Sequence, residues 1–363
     1  QADRLDDPML SYEIAPLSVV SGMRVGQTVK LSQRFPWPGK VSSATEAEER
    51  AAGASAEAVK VSELDLALRA SELYDDYWLV DRSLDVTNEH RHHLDELKRS
   101  AEIQYGVGRS TLSDPLQVDV ELALLDQRDL GLRAEHDVIA SQLNALLHRA
   151  PELGLPDPPV ALPVDLSAPP ASASLQREAV AASPELRRYS LRARAAEARA
   201  RHAERLYYPD VTLMASYSSM FAAVEHQFMV GFETPLPFER DSHAAAVEEA
   251  TAMGDEARSE SRRVSDRIRA DVDSQRRRVV ELVAVVKLYD SRVIPAVDQQ
   301  LAATRSDLAA GKTGFSTVID AEKKLHDVTL ARHMAVAELS KARARLDRAL
   351  GRFPLGIRKG GAR

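Results

Sequence analysis

None of the chain's 363 residues is cysteine, which excludes disulfides, thiolate nucleophiles and cysteine-bound metals. Long hydrophobic runs are missing too. No stretch approaches the eighteen or more apolar residues of a membrane-spanning helix, mean hydropathy is −0.30 and 28% of residues are charged. Nor is there a basic surplus: the net charge of −7 argues against a general binder of phosphate backbones. Gln1 opens without the basic, apolar segment of a secretory leader, so the sequence reads as cytoplasmic, processed or truncated. Proline, prominent in "QRFPWPGK" (33–40), then vanishes until Pro115.

What is present is repetition. "ADRLDDPMLSYEI" (2–14) aligns with "AERLYYPDVTLMA" (203–215) at an offset of 201, and "GRSTLSDPLQVDVEL" (108–122) aligns with "GKTGFSTVIDAEKKL" (311–325) at 203. The second offset also lays Leu143 on Leu346 and Arg149 on Arg352. Internal duplication on this scale sets the fold before any motif does. Each copy reads strand, loop, strand, long helix, glycine turn, shorter helix. Repeat 1 covers 1–150, with strands over 9–16 and 24–35 and helices over 41–104 and 116–149. Repeat 2 covers 175–352, with a helix over 175–207, strands over 210–218 and 227–236, and helices over 241–308 and 318–352. Between them, 151–174 is too rich in proline for a long helix and reads as a connector; 353–363 is a tail.

The strands alternate. Val211, Leu213, Ala215 and Tyr217 interleave with Thr212, Met214, Ser216 and Ser218, and Phe228, Val230 and Phe232 interleave with Met229, Gly231 and Glu233. Leu10, Tyr12 and Ile14 do the same against Ser11 and Glu13. Period-two alternation gives each strand one apolar and one polar face. The helices step by three and four: Leu122, Leu125, Asp129, Leu132, His136, Ile139, Leu143 and Leu146 form one seam. Leu325, Val328, Arg332, Ala335, Leu339, Ala342, Leu346 and Ala349 form its counterpart, as in a coiled coil. Helix 41–104 would be roughly 95 Å long, and 116–149 followed by 175–207 would return in two pieces with the connector at mid-height. The equivalent partner for 241–308 would be a helix ahead of Gln1.

Strands of about ten residues match the length that crosses a bilayer at a tilt, but four strands leave two open edges, which lipid does not tolerate. Closure would need further subunits, in a barrel of eight, twelve or sixteen strands. Pro36 and Pro38 would then end the ladder, Phe35 and Trp37 would sit in the aromatic girdle, and Phe238 would do so in repeat 2. A soluble sheet edge is the competing reading.

The strand end "QRFPWPGK", the "VG…PLPF" strand end (230–238), the turn "YGVGRSTLSDPLQ" (105–117) and "GKTGFSTVIDAEKKL" together resemble the TolC-like outer-membrane efflux proteins, possibly their heavy-metal branch. The resemblance runs over almost the whole chain. It implies a mainly α fold with β: a homotrimer whose α-helical barrel is continuous with a twelve-stranded transmembrane β-barrel, four strands per chain. It also implies an outer-membrane location with a large periplasmic part, and a passive exit duct served by an inner-membrane pump through a periplasmic adaptor. A tripartite efflux pump and a type I secretion system both fit. A soluble periplasmic coiled-coil adaptor or scaffold is the alternative, although such proteins lack a whole-chain duplication.

The resemblance makes the two glycine turns, Val107-Gly108-Arg109-Ser110 and Gly311-Lys312-Thr313, the tips that dock an adaptor. It also points to acidic residues ringing a closed aperture. Asp320 and Asp114 occupy such positions, with Thr317 where relatives carry another aspartate and Gln117 opposite Asp320. A trimeric ring of Asp320 would suit cations. "EHRHHLDE" (89–96) places Glu89 with His93 and His92 with Glu96 at metal-ligand spacing, and Met214, Met220, His226 and Met229 cluster around the second hairpin. A wet helix face and barrel packing explain these, so no metal, cofactor or nucleic-acid partner is expected. Arginine-rich 187–205 is interspersed with glutamate, and "GVGRST" lacks the setting of a dinucleotide loop. No enzyme is expected. The cargo, the pump type, a lipidated cysteine ahead of Gln1 and the state of the aperture are not encoded legibly.

Overall fold

The computed structural model describes residues 5–15, 26–220, 224–235 and 240–354. The chain divides into two compact units, 1–61 with 184–266, and 62–183 with 267–363.

The first unit holds a four-stranded antiparallel sheet in the order β1 (Met9–Ala15), β2 (Gly26–Phe35), β3 (Val211–Met220), β4 (Val224–Glu233). The strand expected over 227–236 stops at Glu233 instead, ahead of Pro235, which cannot donate to a ladder. Register decides the faces, because directly opposed residues share one. Leu10, Leu31, Ala215 and Val230 form one continuous row across all four strands. Tyr12, Val29, Tyr217 and Phe228 form the next. The opposite face carries Ser11, Lys30, Ser216 and Met229 in a row. Its polar residues bond across strands, as Thr28 does with Ser218 at 3.0 Å.

Three helical segments complete this unit: the start of α1 (Lys40–Gly106), α4 (Pro184–Arg205) and the start of α5 (Arg240–Leu288). Their buried residues are small, among them Ala47, Ala54, Ala193, Ala196, Ala198 and Ala257. Small side chains let helix axes approach closely. At Gly53 even an added Cβ would lie 3.4 Å from Leu191. Ion pairs tie α4 to both neighbours: Arg187 to Glu57 and Arg201 to Glu46 on α1, and Glu197 to Arg258 on α5. That lacing accounts for part of the arginine-rich stretch.

The second unit contains the rest of α1 and α5, α2 (Ser113–Leu146), α3 (Ser172–Ala182), a π turn (Tyr289–Val293), α6 (Ile294–Ala309) and α7 (Phe315–Ala349). In α2 every seam residue from Leu122 to Leu146 is buried or half-buried, while Leu124, Leu130 and Val138 stay exposed. In α7 the seam is only part of what is covered. Val318, Ile319, Glu322, His326, Leu330 and Lys341 are buried as well, so α7 packs on more than one side.

Of two helices expected to be continuous, one breaks and the other runs on through an irregular turn. The segment expected over 175–207 breaks at Ser183, which takes an extended ψ of 117° before Pro184 starts α4. A residue ahead of proline is pushed out of the helical region, and proline itself suits a first helical position. The segment expected over 241–308 passes through the π turn immediately before Ile294 and Pro295. Proline lacks the donor and crowds the carbonyl four residues back, and a π turn absorbs both.

The connector is ordered by its carbonyls. Pro159 accepts from Trp78 Nε1 at 2.9 Å, Leu153 from Asn144 Nδ2 at 2.6 Å, and Ser167 from Arg343 at 2.7 Å. Trp78 and Asn144 are almost fully buried, so the N–H donors of both side chains are satisfied where water is excluded.

Four helix ends share one geometry. Arg109, Arg149, Lys312 and Arg352 each donate an amide to the carbonyl five residues back, the Schellman arrangement. It requires a left-handed residue just before each donor. Gly108, Gly311 and Gly351 supply it at φ +73°, +72° and +73°, but repeat 1 places His148 there at φ +52°. His148 lies opposite Gly351 at the offset of 203 and is exposed. A side chain in this region costs roughly 1–2 kcal/mol, partly offset by the greater chain entropy of glycine. His148→Gly is therefore expected to stabilise the fold by about 0.5–1 kcal/mol, read as a raised denaturation midpoint; an unchanged or lower midpoint would contradict the strain.

Candidate functional site: strand-to-helix junction and hairpin tips

In the first unit the strands meet the helices at "FPWPGK". Lys40, the first residue of α1, places a cation at a helix N-terminus, against the dipole. Asp210, just ahead of β3, answers it. Lys40 Nζ lies 2.7 Å from Asp210 Oδ1 and 2.6 Å from the Tyr208 carbonyl. Arg34 donates to Asp210 Oδ2 at 2.6 Å, and the Trp37 amide donates to Oδ1 at 2.9 Å. Lys40 and Asp210 are both buried. Burial alone would raise the Asp210 carboxyl, but the bonds from Lys40, Trp37 and Arg34 outweigh it and hold it at about 2.

Trp37 stacks on Tyr208 with ring centroids 5.1 Å apart and 12° between planes. Both rings are exposed, as is Phe35. Phe238 lies outside the described residues. Gly39 turns the chain at φ +89°, and a Cβ there would fall 2.7 Å from the Arg205 guanidinium, which donates to the Gly39 carbonyl. The sequence reading took Trp37 and missed its partners. The legible signal was a lysine directly after Pro-Gly at a helix start, which demands an anion from elsewhere.

In the second unit, Val107, Gly108 and Arg109 are exposed at the α1–α2 turn, and Gly311 and Lys312 at the α6–α7 turn. No atom stands within 4 Å of the Cβ positions of Gly108 or Gly311, so both backbones are open to approach. Ser110 bonds back to the Ala101 carbonyl and Thr313 is half-buried. Lys312 lies 3.8 Å from Asp307, whereas Arg109 has no ion-pair partner among the described residues. Asp114 is occupied locally: its Oδ2 accepts from the Thr111 amide and hydroxyl at 2.9 and 3.1 Å, closing the turn that leads into α2. Asp320, Thr317 and Gln117 are exposed. Asp320 has no hydrogen-bond or ion-pair partner among the described residues.

The histidine stretch of α1 is used inside the unit. His90 stacks on His326 at 4.7 Å, and burial followed by the His326 charge pushes His90 down to about 4. His93 faces Glu322 at 3.5 Å, and Arg305 also bonds Glu322; His92 lies 3.5 Å from Glu96. Among the described residues no group of three His, Asp or Glu is placed to hold a metal ion. In the sheet, His226 is bonded to the Tyr217 hydroxyl at 2.6 Å, and Met214 lies beside Gly231.

Asp75 is a second buried carboxyl, 2% exposed, with a Ser340 hydroxyl 3.0 Å away. Burial pushes it up to about 7, against the opposing pull of Ser340 and Lys341. A raised carboxyl favours the fold fully below its unfolded value near 3.8, and that contribution is lost as pH rises through about 7. Asp75→Asn is expected to stabilise the protein at pH 8 by on the order of 2 kcal/mol and to change little at pH 4. Equal effects at both pH values, in parallel denaturant titrations, would show that Asp75 is not the group responsible.

The comparisons bear on the whole arrangement. The family profile "Outer membrane efflux protein" matches residues 175–352. No curated protein matches the sequence. Among solved structures, CusC, described in connection with transmembrane channel formation, aligns with a TM-score of 0.82 at 17% identity, over 97% of this chain and 85% of that one. The outer membrane protein VceC of Vibrio cholerae aligns at 0.81 with 17% identity, over 96% and 87%. The open-state MtrE outer membrane channel of Neisseria gonorrhoeae aligns at 0.76 with 16% identity, over 97% and 81%. Residues 175–352 thus match the outer membrane efflux protein family, and nearly the whole chain carries the fold of the outer-membrane channels it aligns with.

Proposed function

We propose that the protein is the outer-membrane exit duct of a tripartite efflux pump or type I secretion system. The observation that carries this is the sheet. β1 and β4 are its two outer strands, and one face is a continuous apolar surface on which Val230 is 87% and Phe228 78% exposed. Strand edges and apolar faces of this extent need partners or lipid. Three copies of the sheet give the twelve-stranded barrel, wide enough for a channel, and the helices of three chains form the tunnel wall. The duct is passive: cargo arrives from an inner-membrane pump through a periplasmic adaptor. The exposed turns around Gly108 and Gly311 are the docking points, with Arg109 and Lys312 offering charge-assisted bonds. The alignment with channels over almost the full length favours this reading above a soluble adaptor or scaffold.

Native mass spectrometry of detergent-extracted protein is expected to give three times 39.9 kDa; a water-soluble monomer would end the proposal. In planar bilayers, Asp320→Ala is expected to raise closed-state conductance and weaken block by divalent cations, because a ring of carboxylates concentrates cations. Unchanged single-channel behaviour would remove Asp320 from the aperture.

A further inference from the structure

A groove of about 490 Å³ opens on the first unit between α1, α4 and α5, within the size range of small-molecule sites. Its floor is apolar, with Ala54 and Ala257 buried, and Met253 is exposed at its edge. One wall is built from α4. There the guanidiniums of Arg188 and Arg192 lie 5.8 and 5.7 Å from the centroid of the Tyr189 ring.

Other arginines of α4 reach carboxylates: Arg187 pairs with Glu57, Arg199 with Glu48 and Arg201 with Glu46. Arg188 and Arg192 have no carboxylate partner among the described residues. Like charges at i,i+4 destabilise a helix by a few tenths of a kcal/mol, so local helix energetics do not account for the pair. Across the groove, Glu260 is bound by Arg263, and Glu256 is exposed. The positive end of the groove is therefore the α4 wall, beside an aromatic ring and above an alanine floor.

We propose that this groove binds an organic anion, its carboxylate, sulfonate or phosphate head held by Arg188 and Arg192 and its flat or aliphatic body laid against Tyr189 and the floor. Guanidinium suits this task because its planar donors bond an oxyanion in pairs, and each can remain over the ring while doing so. Glu256 repels a second anionic end, so a singly headed amphiphile fits and a dianion charged at both ends does not. Binding does not require transport and stands apart from the duct reading.

The test uses the full chain in lipid nanodiscs, titrated calorimetrically with sodium naphthalene-2-sulfonate, with empty nanodiscs subtracted. The expected result is saturable binding at one site per chain, weakened by added salt and weakened about tenfold or more by Arg188→Gln with Arg192→Gln. Tyr189→Leu is expected to weaken it about threefold. Denaturation midpoints of the variants should match the parent, since none of these side chains is fully buried. Absence of saturable binding, or an unchanged affinity in the double variant, overturns the proposal. So does equal binding of 2-naphthylmethylammonium, which would make the charge irrelevant, or of inorganic sulfate, which would make the body irrelevant.

Discussion

Asp210→Ala is expected to destabilise the protein by roughly 3–5 kcal/mol, the usual cost of removing one partner from a buried ion pair. The loss arises at Lys40, whose ammonium would stay buried with only the Tyr208 carbonyl to bond, at the start of a helix whose dipole already opposes it. Arg34 and the Trp37 amide would lose an acceptor as well. The double variant Asp210→Ala with Lys40→Met should recover much of the loss, because the stranded charge goes with its partner. Denaturant unfolding of the three proteins measures this. If the double variant is no better than the single, the pair is not the source. The same carboxylate fixes an acid limit. A depressed carboxyl contributes stability above its unfolded value near 3.8, and loses it as pH falls through about 2.

Leu31→Arg should be the most damaging substitution in the sheet, at roughly 2–4 kcal/mol, if the apolar face meets lipid. Leu31 lies mid-strand in β2, in the row Leu10–Leu31–Ala215–Val230. Leu213→Arg, on the same face but close to the start of β3, should cost less, because the penalty falls toward the membrane interface. Ser32→Arg, one residue along and on the other face, should cost about 1 kcal/mol or less, because a side chain on that face stays out of the lipid. Refolding into phospholipid vesicles at several denaturant concentrations gives all three values. Equal costs for Leu31→Arg and Ser32→Arg would refute the face assignment, and with it the reading that this surface is lipid-facing.

Much of the architecture was legible because it depends on local periodicity. Alternation in 211–217 and 228–232 assigns each strand residue to a face whatever the sheet packs against, and the register keeps those faces in rows. The 3,4 stepping from Leu122 to Leu146 likewise marks the covered side of α2. The glycines at 108 and 311 announced tight turns, since only a residue without Cβ enters the left-handed region freely. Less legible were features in which one residue acts on a neighbour's backbone. Pro184 and Pro295 were visible, but the sequence does not say whether a proline starts a helix, ends one or is absorbed in a π turn.

The sequence by itself determined the duplication, the two faces of each strand, the helical seams and the places where the chain reverses. The faces, seams and reversals rest on interactions between residues a few positions apart, whose geometry the period of the backbone dictates, and the duplication is a likeness of the residues themselves. Only the tertiary structure decided that Asp210 holds Lys40, that the connector's carbonyls receive Trp78 and Arg343, that His90 lies against His326, and that Arg188 and Arg192 have no carboxylate partner among the described residues. Those pairings join residues far apart along the chain. A charge carries no record of its distant partner in its own neighbourhood, and burial makes the pairing obligatory only once the helices have packed.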